Sequence, residues 1–296
     1  MRPYVIVDVF TGTPLEGNPL AVFTEAEGLP ADRMQRVARE MNLSETVFVL
    51  PPAAGGDARI RIFTPATELP FAGHPTLGTA FVLCGQRGLD ATELETGAGV
   101  IRVEFAGRSG LTSPQPSGLR SGPDLPPGPE LPGRMRQPVP TWEPYERAAE
   151  LLAALEVEGS RLPVEAYRNG PRHVYVALDS EEAVGRLRPD ITALGALPGI
   201  GVGCFAGLGP RWKLRYFAPA LGVTEDPATG SAAGPLGVHL ARHDQIAFGQ
   251  QIEVRQGEEI GRPSLLLVRA EAAGGQVTAV EVGGSAVIVA RGELLA

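Results

Sequence analysis

Two stretches of this chain repeat one another: "RIFTPATELPFAGHPTLGTA" at residues 61–80 and "RYFAPALGVTEDPATGSAAG" at residues 215–234. An arginine, a phenylalanine, a proline and an alanine match at a constant offset at the start of both stretches. After a short gap, two further pairs align: Gly73 with Gly230, and His74 with Ser231. Each stretch ends a strand, turns through small residues and starts a helix. The repeat therefore predicts two structurally related halves.

The repeat also predicts where a ligand binds. If a pseudo-two-fold axis relates the halves, the two helix starts face each other across a cleft. Each start offers unpaired backbone N–H groups and the positive end of a helix dipole. Gly73 and Gly230 allow close backbone approach there. The arrangement suits a small carboxylate better than a nucleotide, because neither turn carries a P-loop or a Gly-x-Gly-x-x-Gly fingerprint.

Composition restricts the class of protein. The chain has 296 residues, 43% of them hydrophobic, which is enough for two domains. Its formal net charge of -8 disfavours nucleic acid as a partner, and no apolar run is long enough for a membrane-spanning helix. The two cysteines, Cys84 and Cys204, lie in apolar surroundings and are interpreted as core residues. We expect a cytoplasmic protein with a small-molecule partner.

Alternating strand and helix patterns predict an α+β fold in two domains. The amino-terminal domain is predicted over residues 1–110 and the carboxy-terminal domain over 133–283, with a last strand at about 284–296 that returns to the first domain. Residues 111–132 are predicted to be a linker, within a stretch from 107 to about 140 that is rich in proline and glycine. Single helices are predicted within 143–157 and 180–194.

Four polar residues near the repeat are candidates for chemistry. His74 has a side chain suited to proton transfer or to orienting a substrate, although a histidine that caps its own helix is an equally good interpretation. Asp226 and Ser231 are candidate substrate ligands, yet "EDPATGS" is also an ordinary capping sequence. Glu45 enters an apolar strand, where desolvation would raise its pKa toward that of a general acid or base. An exposed glutamate at the strand end is the alternative.

A metal site is not predicted. His239 and His243 lie four residues apart on a predicted helix, a spacing that zinc sites use. The sequence shows no third ligand near them, so a solvated helix face is the preferred interpretation.

Taken together, several motifs resemble the PhzF family of phenazine-biosynthesis isomerases over nearly the whole chain. The motifs are "GNPLAVF", "MNLSETVFVL", "RIFTPATELPFAGHPTLGTA", "RNGPRHVYVAL" and "EDPATGSAAGPLGVHLARH". The resemblance implies a diaminopimelate epimerase-like fold, in which each of two domains wraps a sheet around a central helix. It also implies a homodimer that needs no cofactor.

The same resemblance implies roles for individual residues. Glu45 would move a proton between carbons of trans-2,3-dihydro-3-hydroxyanthranilate, while His74, Asp226 and Ser231 would contact the substrate. Gly73 and Gly230 are assigned as supporting binding positions from their backbone geometry.

Two alternatives remain at this point. One is a metabolite-binding protein without catalytic activity on the same scaffold, and the other is an epimerase or isomerase of another amino-acid-like substrate. Related racemases use a pair of cysteines near the positions of Ala72 and Ala228, which disfavours two-thiol chemistry in this chain.

Overall fold

The structure is a computed structural model that describes residues 1–105 and 132–295. The predicted linker therefore lies, except for its last residue, outside the described residues. The first half consists of β1 (Arg2–Val9), β2 (Asn18–Phe23), α1 (Ala31–Met41), β3 (Glu45–Leu50), β4 (Ala58–Phe63), β5 (Glu68–Leu69), α2 (Gly73–Arg87), β6 (Ala91–Thr96), β7 (Gly99–Phe105) and β8 (Gly133–Gln137).

The second half has the same kinds of element with extra helices. It consists of β9 (Thr141–Pro144), α3 (Ala148–Ala154), β10 (Glu165–Arg168), β11 (Arg172–Ala177), α4 (Glu181–Arg186), α5 (Ile191–Gly195), β12 (Gly201–Leu208), β13 (Arg211–Ala218), β14 (Val223–Asp226), α6 (Gly230–Arg242), β15 (Gln251–Gln256), β16 (Ser264–Ala273), β17 (Gln276–Gly284) and β18 (Ala286–Leu294). No helix within the described ranges is long and apolar enough to cross a membrane.

The two halves pair their strands in the same order of parallel and antiparallel neighbours, as the sequence repeat predicts. In the first half, the pairs β1–β2, β3–β4 and β6–β7 are antiparallel, whereas β2–β3 and β4–β6 are parallel. In the second half, β10–β11, β12–β13 and β15–β16 are antiparallel, whereas β11–β12 and β13–β15 are parallel. The two halves therefore share one topology, with α2 and α6 in equivalent positions.

The matched residues of the repeat make the same contacts in both halves. Each matched arginine lies over the ring of the matched phenylalanine and pairs with a glutamate of the following short strand. The residues are Arg61, Phe63 and Glu68 in the first half and Arg215, Phe217 and Glu225 in the second. The arginine Cζ lies 5.1 Å from the centroid of the phenylalanine ring in the first half and 5.0 Å in the second. The arginine Nη2 lies 2.6 and 2.8 Å from the glutamate Oε2, respectively. A shared packing motif thus explains the sequence match.

Both central helices are buried on almost all sides. Every residue of α2 from Gly73 to Ala80 is buried, and so is every residue of α6 from Gly230 to Ala241. α1, in contrast, buries only the face that carries Met34, Val37 and Ala38. The burial of α2 and α6 on nearly every face fits a central position inside the strands, since a helix that exposes one side to solvent buries only a stripe.

The proline-rich stretch from 107 to about 140 contains a strand, β8, which begins immediately after the predicted linker at 111–132 and was not predicted from the sequence. β8 pairs with β7 of the first half and with β17 of the second, so it connects the two sets of strands. Gly133, Met135 and Gln137 are buried, while Arg134 and Arg136 between them are exposed. This alternation is the period of a half-buried strand, which the composition of the neighbouring residues concealed.

The two helices predicted in the second half are shorter than expected. Only Ala148–Ala154 is helical in the first region, because its beginning pairs with β10 as strand β9. The second region contains α4 and α5 rather than one helix. Leu187 ends α4 with an extended ψ of 137°, Pro189 follows, and the Asp190 side chain then accepts a hydrogen bond from the Ala193 N–H to start α5.

The carboxy-terminal strand β18 pairs antiparallel with β1, from Arg2 opposite Leu294 to Val9 opposite Ala286. The largest apolar core contains residues of both halves, including Leu77 of α2 and Leu236 of α6. The division into two domains at the predicted boundaries stays a prediction, because β8 and the core connect the halves.

Shortening the Met135 side chain tests whether β8 is part of the core. We expect Met135→Ala to lower the free energy of unfolding by about 2–5 kcal/mol, because Met135 is fully buried and the truncation leaves a cavity. The control Arg136→Ala, on the exposed face of the same strand, should change it by less than about 0.5 kcal/mol. Urea unfolding measures both values. Equally small decreases in the free energy of unfolding of the two variants would contradict the burial of Met135 in the core.

Candidate active site

The first turns of α2 and α6 touch at Gly73 and Gly230. A Cβ atom built on Gly73 would lie 2.5 Å from the carbonyl carbon of Gly230 and 2.5 Å from the amide nitrogen of Ser231. At neither helix start does the side chain of the N-cap residue accept a hydrogen bond from a backbone N–H. Two positive dipole ends therefore meet, with N–H groups of the first turns left for an anion.

Side-chain donors hold the start of α6 in place. Pro235 lies inside the helix and has no N–H to donate to the carbonyl of Ser231, four residues earlier. The Asn169 side-chain amide donates to that carbonyl instead, at 2.9 Å, and the Gln137 amide donates to the Gly230 carbonyl at 2.7 Å. The backbone around Ser231 is thereby fixed from β8 and from the loop after β10.

The titratable candidates lie together in this cleft. Glu45 begins β3, and its Oε2 is 3.3 Å from Nε2 of His74 in the first turn of α2. Asp226 ends β14 and accepts hydrogen bonds from Thr229 Oγ1 at 2.6 Å and from Asn18 Nδ2 at 2.8 Å. His74, Asp226 and Ser231 are all buried, and the Glu45 side chain is only 12% exposed. The structure thus brings the candidates from both halves into one place.

Burial sets the electrostatics of these groups. It raises the pKa of Glu45 well above its ordinary value of 4.5, and the negative charge of Asp226 raises it further. Burial also raises the pKa of Asp226, but hydrogen bonds from Thr229, Asn18 and Ser44 oppose that shift. Burial lowers the pKa of His74 to about 3, so its ring is neutral at physiological pH. The two carboxyl groups therefore have different environments, which suits one of them to carry a proton.

Three buried polar atoms in the cleft have no hydrogen-bond partner among the described residues: Glu45 Oε2, His74 Nε2 and Asn18 Oδ1. Unpaired polar groups are costly inside a protein, and such groups commonly mark the place of a ligand. These three atoms come from the ends of three elements, β2, β3 and α2. A ligand with its own donors and acceptors would satisfy them.

Sequence reasoning missed Asn18 and Asn169 as site residues. Asn18 was interpreted as turn chemistry in "TGTPLEGNP", and Asn169 lay unremarked in "RNGPRHVYVAL". The proline in α6 was the available signal for Asn169, because it removes a backbone donor that some side chain must replace. For Asn18 the available signal was an amide at the start of an otherwise apolar strand.

The pair His239 and His243 does have a third neighbour, contrary to expectation. Glu165 Oε2 lies 3.3 Å from His239 Nδ1 and 3.1 Å from His243 Nε2. Arg242 Nη1 donates to the same oxygen at 2.6 Å and already supplies the positive charge that a metal ion would bring. We interpret the cluster as a hydrogen-bonded network that fixes the end of α6 to β10.

The cysteines lie in the core. Cys84 and Cys204 are both buried, and burial raises the pKa of the Cys204 thiol to about 12. A thiol of this kind is a poor nucleophile at neutral pH. Ala72 and Ala228 flank the two helix starts, and neither can supply the thiol that a two-cysteine racemase needs.

Comparison with known proteins decides the family. The model of the phenazine biosynthesis-like protein family PhzC-PhzF matches residues 7–292. The chain belongs to this family. A relative from Pseudomonas aeruginosa named trans-2,3-dihydro-3-hydroxyanthranilate isomerase is 53% identical over 292 residues, 99% of each chain.

Solved structures of PhzF-like proteins and epimerases have the same fold. A predicted epimerase from Pseudomonas aeruginosa, 31% identical, covers 100% of both chains with a TM-score of 0.80. A hydroxyproline epimerase from Agrobacterium vitis covers 99% of this chain and 93% of its own at 13% identity, with a TM-score of 0.59, which is a likeness of fold alone. The resemblance to the PhzF family and the epimerase-like α+β fold are confirmed, and the chain is an isomerase.

The contact between the helix starts can be tested at Gly73. We expect Gly73→Ala to lower the free energy of unfolding by about 1–3 kcal/mol, because the added methyl group meets backbone atoms of Gly230 and Ser231 that cannot rotate away. The control Gly85→Ala lies in the same helix with open space around its Cβ. It should raise the free energy of unfolding by roughly 0.5–1 kcal/mol. Urea unfolding of both variants gives the comparison, and a stabilising Gly73→Ala would contradict the close contact.

Proposed function

We propose that the chain is a trans-2,3-dihydro-3-hydroxyanthranilate isomerase that uses Glu45 as both general base and general acid. The observation that carries this proposal is the Glu45 carboxyl group itself. Its side chain is only 12% exposed, its pKa is raised, and its Oε2 has no hydrogen-bond partner among the described residues. The 53% identity to the Pseudomonas aeruginosa isomerase supports this choice of substrate.

The substrate carboxylate would bind at the two helix starts. There it would accept hydrogen bonds from backbone N–H groups of the first turns, at Gly73 and Gly230, and from the Ser231 hydroxyl. His74 and Asp226 would contact the remaining polar groups of the substrate. These contacts use both halves, so the substrate is held only when the cleft is closed.

The reaction would be a proton shift on one face of the substrate. The Glu45 carboxylate takes a proton from one carbon and, now neutral, returns it to another carbon of the same conjugated system. The product is an enol that tautomerises to a ketone, so no atom is gained or lost. A carboxyl group with a raised pKa suits both steps, since it is basic enough to remove the proton and acidic enough to return it.

Burial of the site supports this mechanism. A closed cleft keeps water from exchanging with the transferred proton and from weakening the charge interactions. Because His74, Asp226 and Ser231 are buried, the halves must separate for substrate to enter. The proposed steps use only side chains and backbone N–H groups of this chain. The homodimer implied by the family resemblance stays a prediction, which sedimentation velocity can test.

Replacement of the carboxyl group tests the proposal. We expect Glu45→Gln to reduce turnover of trans-2,3-dihydro-3-hydroxyanthranilate by about 10²–10⁴-fold, because the amide can neither accept nor return the proton. NMR in heavy water follows both turnover and entry of deuterium. The control Glu40→Gln, an exposed glutamate at the end of α1, should retain full activity. Full turnover by Glu45→Gln would refute the role of Glu45. Binding of the compound to the wild type without turnover would favour a binding protein instead.

The raised pKa of Glu45 predicts opposite effects of pH on stability and activity. The folded state holds the Glu45 proton more tightly than the unfolded chain, so the free energy of unfolding should fall as the pH rises from about 4.5 through the raised pKa. Over the same interval kcat/KM should rise as the carboxylate forms. Urea unfolding between pH 5 and pH 8 should show that Glu45→Gln is stabilised relative to wild type, and more so at pH 8. If the free energies of unfolding of wild type and Glu45→Gln changed in parallel with pH, the raised pKa of Glu45 would be contradicted.

A further inference from the structure

The side-chain amide of Asn18 lies between groups of both halves. Its Nδ2 is 2.8 Å from Asp226 Oδ1, 2.9 Å from the Ala228 carbonyl oxygen and 3.1 Å from His74 Nδ1. Asn18 is fully buried at the start of β2, and the residues that it contacts come from α2, from the end of β14 and from the turn between β14 and α6. This single amide therefore contacts the two candidate site residues Asp226 and His74.

The neighbours of Asn18 fix the orientation of its amide. A carbonyl oxygen only accepts hydrogen bonds, and an ionised carboxylate does the same. The nitrogen of the amide must therefore face Ala228 and Asp226, because the reverse orientation would place oxygen against two oxygens. The amide nitrogen has no free lone pair and cannot accept a proton from a histidine.

The orientation of the Asn18 amide decides which nitrogen of His74 carries the proton. His74 Nδ1 faces a donor, so Nδ1 must offer its lone pair. The buried, neutral ring has one proton, and that proton belongs on Nε2. Nε2 lies 3.3 Å from Glu45 Oε2. We propose that Asn18 is a positioning residue that holds His74 in the tautomer with its proton on Nε2, the ring nitrogen that lies beside Glu45.

The tautomer matters for the proposed reaction, on which this part of the inference rests. An Nε2–H group next to Glu45 stabilises the carboxylate, the form that removes the substrate proton. The opposite tautomer would turn a lone pair toward the carboxylate oxygen and favour the protonated, inactive base. A wrong tautomer at a catalytic histidine costs about 10⁴ in turnover in a serine protease triad, which shows how large such an effect can be.

A purely structural role is the alternative, and the hydrogen bonds of Asn18 to Asp226 and Ala228 would serve it. The Asn18 amide has two N–H groups, but three acceptors lie within hydrogen-bond distance of its nitrogen, so two of these acceptors must share one hydrogen. A structural link would affect stability without changing the protonated nitrogen of His74. The position of that proton therefore distinguishes the two roles, and it can be measured without any substrate.

The test is NMR of the ring nitrogens in protein labelled with ¹⁵N-histidine. The chain has four histidines, and the His74 signals are those that His74→Gln removes. In the wild type we expect a protonated Nε2 and an unprotonated Nδ1. Asn18→Ala should produce a mixture of tautomers, and Asn18→Asp should move the proton to Nδ1 or add a second one, because a carboxylate then faces that nitrogen.

The control variant is Asn169→Ala, which removes another buried amide that donates to the backbone, here to the Ser231 carbonyl, without contacting His74. It should leave the His74 tautomer unchanged. If Asn18→Asp does not fold, Asn18→Ala carries the test. The proposal is overturned if the wild type has its proton on Nδ1, or if Asn18→Ala keeps the pure wild-type tautomer.

Kinetics separate this inference from the proposed function. With trans-2,3-dihydro-3-hydroxyanthranilate as the substrate, Asn18→Ala should lower kcat by at least about 10-fold with a smaller change in KM, in the range general acid–base effects allow. In the Glu45→Gln background, Asn18→Ala should lower kcat no further, since both substitutions affect the transfer of the same proton. If the wild type shows the expected tautomer but no isomerase activity, the proposed function fails while the role of Asn18 in fixing His74 stands. Additive losses in the double variant would overturn the link between Asn18 and Glu45.

Discussion

The contact between two helix N-termini is the constraint from which the rest of the site follows. Gly73 and Gly230 lack side chains because the backbones of α2 and α6 meet there. Two positive dipole ends in contact repel each other unless a negative group lies between or beside them. Asp226 and Glu45 lie beside them in this structure, and a bound carboxylate would add to their effect. The geometry that assembles the fold thus also creates an affinity for anions.

Two carboxyl groups share this cleft, and their hydrogen bonds make them different. Asp226 accepts from Asn18 and Thr229, which stabilises its ionised form against the cost of burial. The Oε2 atom of Glu45 lies 3.3 Å from His74 Nε2, but it accepts no aligned hydrogen bond among the described residues. An added proton therefore goes to Glu45 before Asp226. The proposed assignment of acid–base chemistry to Glu45 rests on this difference and does not depend on the identity of the substrate.

Short-range sequence patterns predicted much of this arrangement and missed its long-range parts. Matched turns indicated the paired helix starts, and the charged or polar residues beside those turns proved to lie together. Asn18 was missed because its role depends on Asp226, 208 residues away, and no local pattern shows that contact. β8 was missed because its alternation covers only five residues within proline-rich sequence. Pro189 was the local signal that divided the predicted helix into α4 and α5, and it was visible in the sequence.

Helix α6, the central helix of the second half, is fixed at both ends, which limits how the cleft can open. At its start, Asn169 and Gln137 bond to the carbonyls of Ser231 and Gly230. At its end, Glu165 of β10 bonds to Arg242, so the same segment of chain anchors both ends. α6 cannot slide along its axis without breaking buried hydrogen bonds, each of which is costly to leave unmade. Opening must therefore carry α6 with the strands of the second half and separate Gly230 from Gly73, at the point where the Asn18 amide also bridges the two halves.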